Sequence, residues 1–499
     1  MSIDINGGSN SGAQKAKQPS TGAFGEDIAN PLTAIFQATA TYNTILNKLE
    51  TFTGTGGTAD ATNLEFRCAT NTSVGSYGTI RSARPLVYRA AQSLRLAFTT
   101  RFPVAGVANS LQYVGGFNSM CEMAVGYSGT TFGFIHGTGG AHEVQTLTVT
   151  GSTAGSDCDI TLDGDTVSGI TLSSTDTETT AAEISDALNA DGTVSGKFYC
   201  RQVGSTVIAM GRDVGDKTGS FTVAGANITA SWAETQAGAA ISRTVTDIAE
   251  WDNPSIASEI DKTKGNVWVL SIPYLGYGNA RLFWMNTTTG QMELAHVFKY
   301  ANANTVPVLQ NPSLRIGVVA ASLGSTTALD VRAGSLNGSV EGILQNDIEA
   351  RSLEASNADV DSVLESLLTI RANRTFNGLA FAGEVLPIFL SAVTASTKSA
   401  TIEVFKGASF TDTQNFQYLE SGQSCVEYDT TTYVDGSGWD STTGTLVAAF
   451  QVGSGATESI DLSKLNIYLA AGETLTIAAK VNSGAASAVN VAIDWQESF

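Results

Sequence analysis

Large apolar side chains recur at every second position through much of this chain, and that period admits few folds. In LRLAFTTRF, Leu94, Leu96, Phe98 and Phe102 fall on one face of an extended backbone, and Arg95, Thr99 and Arg101 on the other. This is the pattern of a half-buried antiparallel strand. It returns in Leu386, Ile388 and Leu390, in Leu475, Ile477 and Ala479, and in Val489, Val491, Ile493 and Trp495. The turns between such runs are glycine-rich: 51 Gly against 9 Pro suits short strands joined tightly. The prediction is a mainly β chain of antiparallel sandwiches, and 499 residues exceed what one core usually serves.

The segment YLGYGNARLFWMNTTTGQMELAHVFKYANANT (274–305) predicts two strands folded back at the NTTTG turn. Ala280, Leu282 and Trp284 share one face; beyond the turn Met292, Leu294, His296, Phe298 and Tyr300 alternate with Gln291, Glu293 and Lys299. Phe283 and Met285 point the other way, so part of the second face is expected to be covered too. NVWVLSI just before it reads as a central strand.

The strand signal divides the chain. Residues 28–143 plus 241–335 form a first β-sandwich, interrupted by a small α+β module at 144–240. In that insert Asp163-Gly164 is a hairpin signal. Its helix, TTAAEISDALNADG, has Thr180 and Glu183 in capping-box spacing and Gly192 just past its end. Residues 336–367 read as a polar connector with weak helical patches, and 368–499 as a second, C-terminal β-sandwich. Residues 32–50 fit either a helix or a strand, with Leu32, Ile35, Phe36, Tyr42, Leu46 and Leu49 as the apolar stripe. Residues 1–27 form an extended N-terminal arm too polar to hold itself in place. Fixing each backbone unit costs about 1–2 kcal/mol, so an ordered arm implies a neighbouring copy gripping it, or contact with its own domain.

Chemistry is sparse. A net charge of −20, from 47 acidic and 27 basic side chains, repels phosphate backbones and argues against nucleic acid as a partner. No apolar run is long enough for a membrane span, and MSIDINGGSNSGAQKAKQPSTGAFGED lacks an export signal. Cys68, Cys121, Cys158, Cys200 and Cys425 are scattered, as expected of free thiols in a reducing cytosol, with a Cys158–Cys200 pair as an option. Three histidines, His136, His142 and His296, offer little for metal or general-base work, and His296 reads as a core or rim imidazole. Asp157, Asp159, Asp163 and Asp165, and separately Asp213 and Asp216, lack the spacing of an EF-hand loop. The GTGG runs at 54–57 and 137–140 are read as loops, since neither sits in a strand-turn-helix phosphate cradle. Trp251, Tyr274, Tyr277 and Trp284 are candidate sugar platforms weighed against core packing. No catalytic, metal or cofactor residue is expected, and no cofactor.

The strings TFTGTGGTADATNLEFRCATNTSVGSYGTIRSARPLVYRAAQSLRLAFTTRF, GYSGTTFGFIHGTGG, the 274–305 ribbon and NPSLRIGVVAASLGSTT resemble a family of tailed-bacteriophage virion structural proteins. The resemblance runs from about residue 25 to the C-terminus, and TAAEISDALNA between hairpins looks like a small module met in phage tail proteins. It implies a lectin-like jelly roll for the first sandwich and a structural role: a spike, fibre or baseplate-associated subunit, expected to be a homotrimer. Its implied partners are copies of itself, other virion proteins and a host-surface glycan. Such a protein folds in the host cytoplasm before assembly into the virion. The alternatives are a capsid decoration or head-fibre protein, and a surface-polysaccharide depolymerase or carbohydrate-binding module. The resemblance supplies no site residues.

Overall fold

The computed structural model describes residues 32–45, 48–88, 92–341, 350–395, 398–482 and 484–498. The expected arm at 1–27 lies outside them, as does Leu46. The chain is mainly antiparallel β, as the alternation requires.

The first sandwich packs a six-stranded sheet on a seven-stranded one. The six strands lie in the order Leu32–Thr39, Ser335–Glu341, Leu94–Thr100, Asn266–Ile272, Ala280–Met285, Met292–Phe298. The seven follow Ser242–Asp247, Thr131–Thr138, Glu122–Ser128, Ser110–Phe117, Arg315–Ser322, Tyr77–Ser82, Leu49–Gly54. Leu96, Phe98, Trp268, Leu282 and Trp284 from the first meet Ile80, Val114, Val125, Phe134 and Val318 from the second in one core. Each such side chain contributes about 1.5–3 kcal/mol of apolar burial. The indoles also satisfy their N–H groups: Trp268 donates to Thr100 Oγ1 at 2.8 Å and Trp284 to Asn266 Oδ1 at 3.1 Å. The ambiguous segment 32–50 is not one element. Leu32–Thr39 is a strand paired with Ser335–Glu341, a 3-10 turn covers Ala40–Tyr42, and a new strand begins at Leu49.

The seven-stranded sheet also carries an apolar cluster on its outer face: Leu111, Tyr113, Phe117, Ala124, Ile135 and Val319. Glycines allow the backbones to crowd there. A Cβ on Gly133 would lie 2.0 Å from the Thr246 carbonyl oxygen, and one on Gly317 2.2 Å from that of Ile80. At the margin of this face Arg243 Nε donates to Glu122 at 2.5 Å.

Two strands depart from the expected alternation for one reason. Leu282 pairs with His296 but Phe283 pairs with Leu294, so Ala295 is the extra residue of a β-bulge. The bulge reverses the phase: Ala295 is buried and Leu294, expected on the core face, is 40% exposed. In Glu384–Thr394 the register slips between Pro387 and Phe389. Val385 and Leu390 therefore enter the core, while Leu386 and Ile388 are only partly buried. Pro387, lacking an N–H, sits where the ladder is already broken.

The insert folds on its own core. Phe198–Val203, Thr206–Val214, His142–Ser152 and Ile228–Gln236 form one sheet, and Asp165–Leu172, Ser156–Leu162 and Thr222–Ala224 a second. Leu147, Ile160, Ile184, Leu188 and Val207 pack between them and the helix Thr177–Ala190. Asp163 and Gly164, both at positive φ, form the expected hairpin turn. The capping box is not formed. Asp176 caps the helix by accepting from Thr179 N at 2.9 Å, and Glu183 reaches back to Ser173 N instead. Gly192 is not a terminator either; it opens a second helix, Gly192–Lys197, capped by Asp191.

The polar connector expected at 336–367 is largely strand. Ser335–Glu341 belongs to the first sandwich, and Ala350–Val360 is the edge strand of the second, paired with Ser487–Ser498. An edge strand with one face in water needs few apolar residues, which is why it read as a linker. The C-terminal sandwich packs this sheet against a six-stranded one around Leu368, Ile402, Leu475, Ile477, Val489, Ile493 and Trp495.

Candidate functional site

All three units meet at a cleft of about 400 Å³. The first sandwich brings Glu50 and Arg81, opposite each other on adjacent strands and paired at 2.8 Å. Arg315, from the next strand, bonds to the carbonyls of Ser82 and Ala83 and lies 3.4 Å from Glu50. The insert brings Tyr199 and Arg212, and the C-terminal sandwich brings Arg374 and Glu473.

Two guanidiniums lie over the Tyr199 ring: Arg212 with its Cζ 3.8 Å from the centroid, and Arg374 at 4.0 Å. Arg374 reaches this position because residue 472 is glycine. Gly472 holds φ +87, and a Cβ there would lie 2.4 Å from the Arg374 Cζ. Burial pulls the pKa values of Arg315 and Arg374 below the usual guanidinium range, with Arg81 opposing the charge of Arg315 and Arg212 that of Arg374. A larger cavity of about 450 Å³, beside Gln37–Thr39 and Ser335–Asn337, has Lys48 as its one charged lining residue among the described residues. Charge therefore concentrates at the junction.

The histidines are used structurally. His136 Nε2 contacts the Val308 carbonyl at 2.7 Å; His142 lies between the Gly211 carbonyl at 2.8 Å and Ser119 Oγ at 2.5 Å, on the wall of the cleft. His296 Nδ1 stands 3.0 Å from Asp252. Burial lowers the pKa of all three.

The acidic runs do not converge. Asp157 accepts from Thr171, Asp159 from Gly169 N, and Asp163 and Asp165 share Lys197. Among the described residues no three His, Cys, Asp or Glu side chains gather in a metal-holding group. All five cysteines are buried free thiols; Cys158 and Cys200 do not pair, and burial pushes their pKa values to about 11 and about 12.

Of the aromatic candidates, Trp251 and Trp284 are core residues and Tyr274 is half-buried, its hydroxyl on the Leu309 carbonyl at 2.7 Å. Tyr277 is 41% exposed. The GTGG runs cradle nothing helical: 54–57 is a turn closed by Gly57 N on the Gly54 carbonyl, and 137–140 ends a strand.

Sequence reasoning missed the arginine cluster. Its members are scattered from 81 to 374, and in a chain of net charge −20 no local basic run announces them.

No family model matches the chain, and no curated protein does. Among solved structures it is similar to the VIP36 exoplasmic/lumenal domain in its Ca²⁺/Man3GlcNAc-bound form, at 8% identity and TM-score 0.25, covering 63% of this chain and 91% of that one. It is similar to the lectin UEA-II complexed with galactose, at 8% identity and TM-score 0.22, over 62% of this chain and 100% of that one. A third match is a chain of the Sulfolobus turreted icosahedral virus, at 9% identity and TM-score 0.18, over 94% of this chain and 98% of that one. At such scores these likenesses carry no argument about function. No helix among the described residues is long and apolar enough to cross a membrane.

Proposed function

We propose that the chain is a structural subunit of a bacteriophage virion that works by assembly and surface contact rather than by catalysis. The observation that carries this reading is how firmly its units are joined. Arg371, over the Phe416 ring at 3.6 Å, binds Glu427 at 2.6 Å and the insert's Gln202 carbonyl at 3.0 Å. Arg84 of the first sandwich makes a two-pronged bond to Glu384 of the second, at 2.7 and 2.8 Å. Such joints suit a scaffold that transmits position.

The carboxylates of the cleft also support a non-enzymatic reading. A glycosidase needs two carboxyl groups flanking the scissile bond, one of them able to carry the proton it gives to the leaving group. Glu50 is held by Arg81 and Arg315, and Glu473 by Lys406 at 2.8 Å.

Contact with neighbours has its own surface. Leu275, Tyr277 and Val306 are exposed on two loops tied together by Val308 N on the Gly276 carbonyl and Tyr277 OH on that of Thr305. The trimer, the arm's grip on a neighbour and the place on the particle belong to the same proposal. Mass photometry of the full chain and of a chain lacking residues 1–27 tests it: oligomers are expected from the first and weaker association from the second. A full-length chain that stays monomeric at micromolar concentration, and is missing from purified particles probed with antibody, overturns the reading. Shortening of host capsule by the purified chain would replace it with the depolymerase alternative.

A further inference from the structure

We propose that the cleft between the three units is a binding site for a carboxylated sugar, with Arg212 and Arg374 taking the carboxylate. This deepens the surface-contact half of the reading above and rests on it for the source of the ligand, a host-surface polysaccharide.

The argument begins with charge balance. Of the four arginines on the cleft, Arg81 and Arg315 share Glu50. Among the described residues Arg212 and Arg374 have only carbonyl acceptors, Ser195 at 2.5 Å and Ala471 at 3.4 Å. Two guanidiniums are thus held against one tyrosine ring with no hydrogen-bonded carboxylate among the described residues, Glu50 and Glu473 acting on Arg374 only at longer range, in a chain whose net charge is −20. Four arginines line the cleft against two carboxylates, Glu50 and Glu473, a surplus of positive charge that an anion balances. Guanidinium N–H forks match a carboxylate two bonds at a time.

Size and lining select the class of anion. A water molecule takes about 30 Å³ of liquid, so the cleft holds the equivalent of about a dozen waters, more than a lone inorganic ion fills. Phe52, 42% exposed on the wall with Arg81 4.7 Å above its ring, offers an apolar face to the C–H side of a sugar. Gly472 keeps Arg374 in reach, since any side chain there displaces the guanidinium.

Saturation-transfer NMR and calorimetry on the full chain test the site, with glucuronic acid as probe, glucose as its neutral counterpart and inorganic phosphate as the bare anion. Glucuronic acid is expected to bind at least tenfold more tightly than glucose, and Arg212→Gln and Arg374→Gln to weaken it about tenfold each, the loss of one charge-assisted bond. Arg212 is exposed, so its variant keeps the fold if Arg374→Gln does not. Binding that is absent, equal for glucose, confined to phosphate, or unchanged in Arg212→Gln overturns the proposal. Mass photometry of the same variants separates the two readings: normal oligomers without sugar binding remove the site and leave the assembly role standing.

Discussion

Arg201 of the insert and Glu427 of the C-terminal sandwich form an ion pair with both side chains closed off from solvent, 8% and 0% exposed. Arg201 also donates to Asn373 at 3.1 Å and Thr375 at 2.8 Å, and Arg371 holds the second oxygen of the same carboxylate. Removing one partner of such a cluster leaves a buried charge with nothing to balance it, which costs about 3–5 kcal/mol. Glu427→Ala is therefore expected to lower stability by that amount in urea denaturation. Burial already pulls the Arg201 pKa down to about 10, a sign of how little solvent reaches it. Arg371 loses its carboxylate whenever Glu427 is replaced, so the double variant Arg201→Met, Glu427→Met should stay below wild type, yet cost less than the sum of Arg201→Met and Glu427→Met measured singly. If instead the two single losses simply add, the pair is not coupled as described.

The bulge at Ala295 makes an opposed pair of predictions. Leu294 is 40% exposed and Ala295 fully buried, the reverse of what unbroken alternation implies. Leu294→Ser is expected to change stability by no more than about 0.5 kcal/mol, as other surface changes do. Ala295→Leu forces extra carbons into packed space and should cost about 1–3 kcal/mol. Thermal unfolding of the two variants distinguishes the registers, and a costly Leu294→Ser would remove the bulge.

These elements also mark where the sequence could be read and where it could not. Period-2 alternation in Leu94–Thr100, Thr474–Val481 and Ser487–Ser498 puts the right residues in the core, because each is an unbroken strand with neighbours on both sides. It fails at Ala295 and Ile388, where one extra residue exchanges the faces and nothing local in composition reveals it. The connector failed because Ala350–Val360 owes its strand to pairing with Ser487–Ser498, far along the chain, not to its own apolar content. The arginine cleft was invisible for a related reason: proximity there is set by how three units dock, and spacing along the chain carries no record of it.

Acid should weaken the protein earlier than carboxylate titration alone would. His136, His142 and His296 have folded pKa values below the ordinary 6.5, chiefly through burial. The unfolded chain then takes up protons first, so their contribution is complete above about pH 6.5 and is lost as pH falls through the folded values. The slope is at most about 1.4 kcal/mol per histidine for each pH unit. Asp252 and Glu65, lowered by Lys299 and Arg101, add a loss only nearer pH 4. Asp186 and Glu365, raised by burial, act in the opposite sense. Urea midpoints at pH 7.5, 6.5 and 5.5 should fall below 6.5, and His136→Gln should flatten that fall. Equal midpoints at 7.5 and 5.5 would contradict neutral buried imidazoles.

Leu275 joins two properties that rarely coincide in a residue without a task. It is 52% exposed, and its backbone sits at φ +34, where a leucine side chain is strained. Its N–H donates to Tyr88 OH at 3.0 Å, which fixes the turn and holds the side chain outward, near Val306 at 58% exposure. Asparagine tolerates positive φ, so Leu275→Asn should leave the melting temperature unchanged or slightly raised. The same change removes apolar surface from the proposed contact. Combined with Val306→Asp it is expected to shift mass-photometry distributions toward monomer without loss of the folded signal. Stability and association then move in different directions, which a purely structural leucine would not produce. Retention of wild-type oligomers in the double variant would direct the search for the interface to another face.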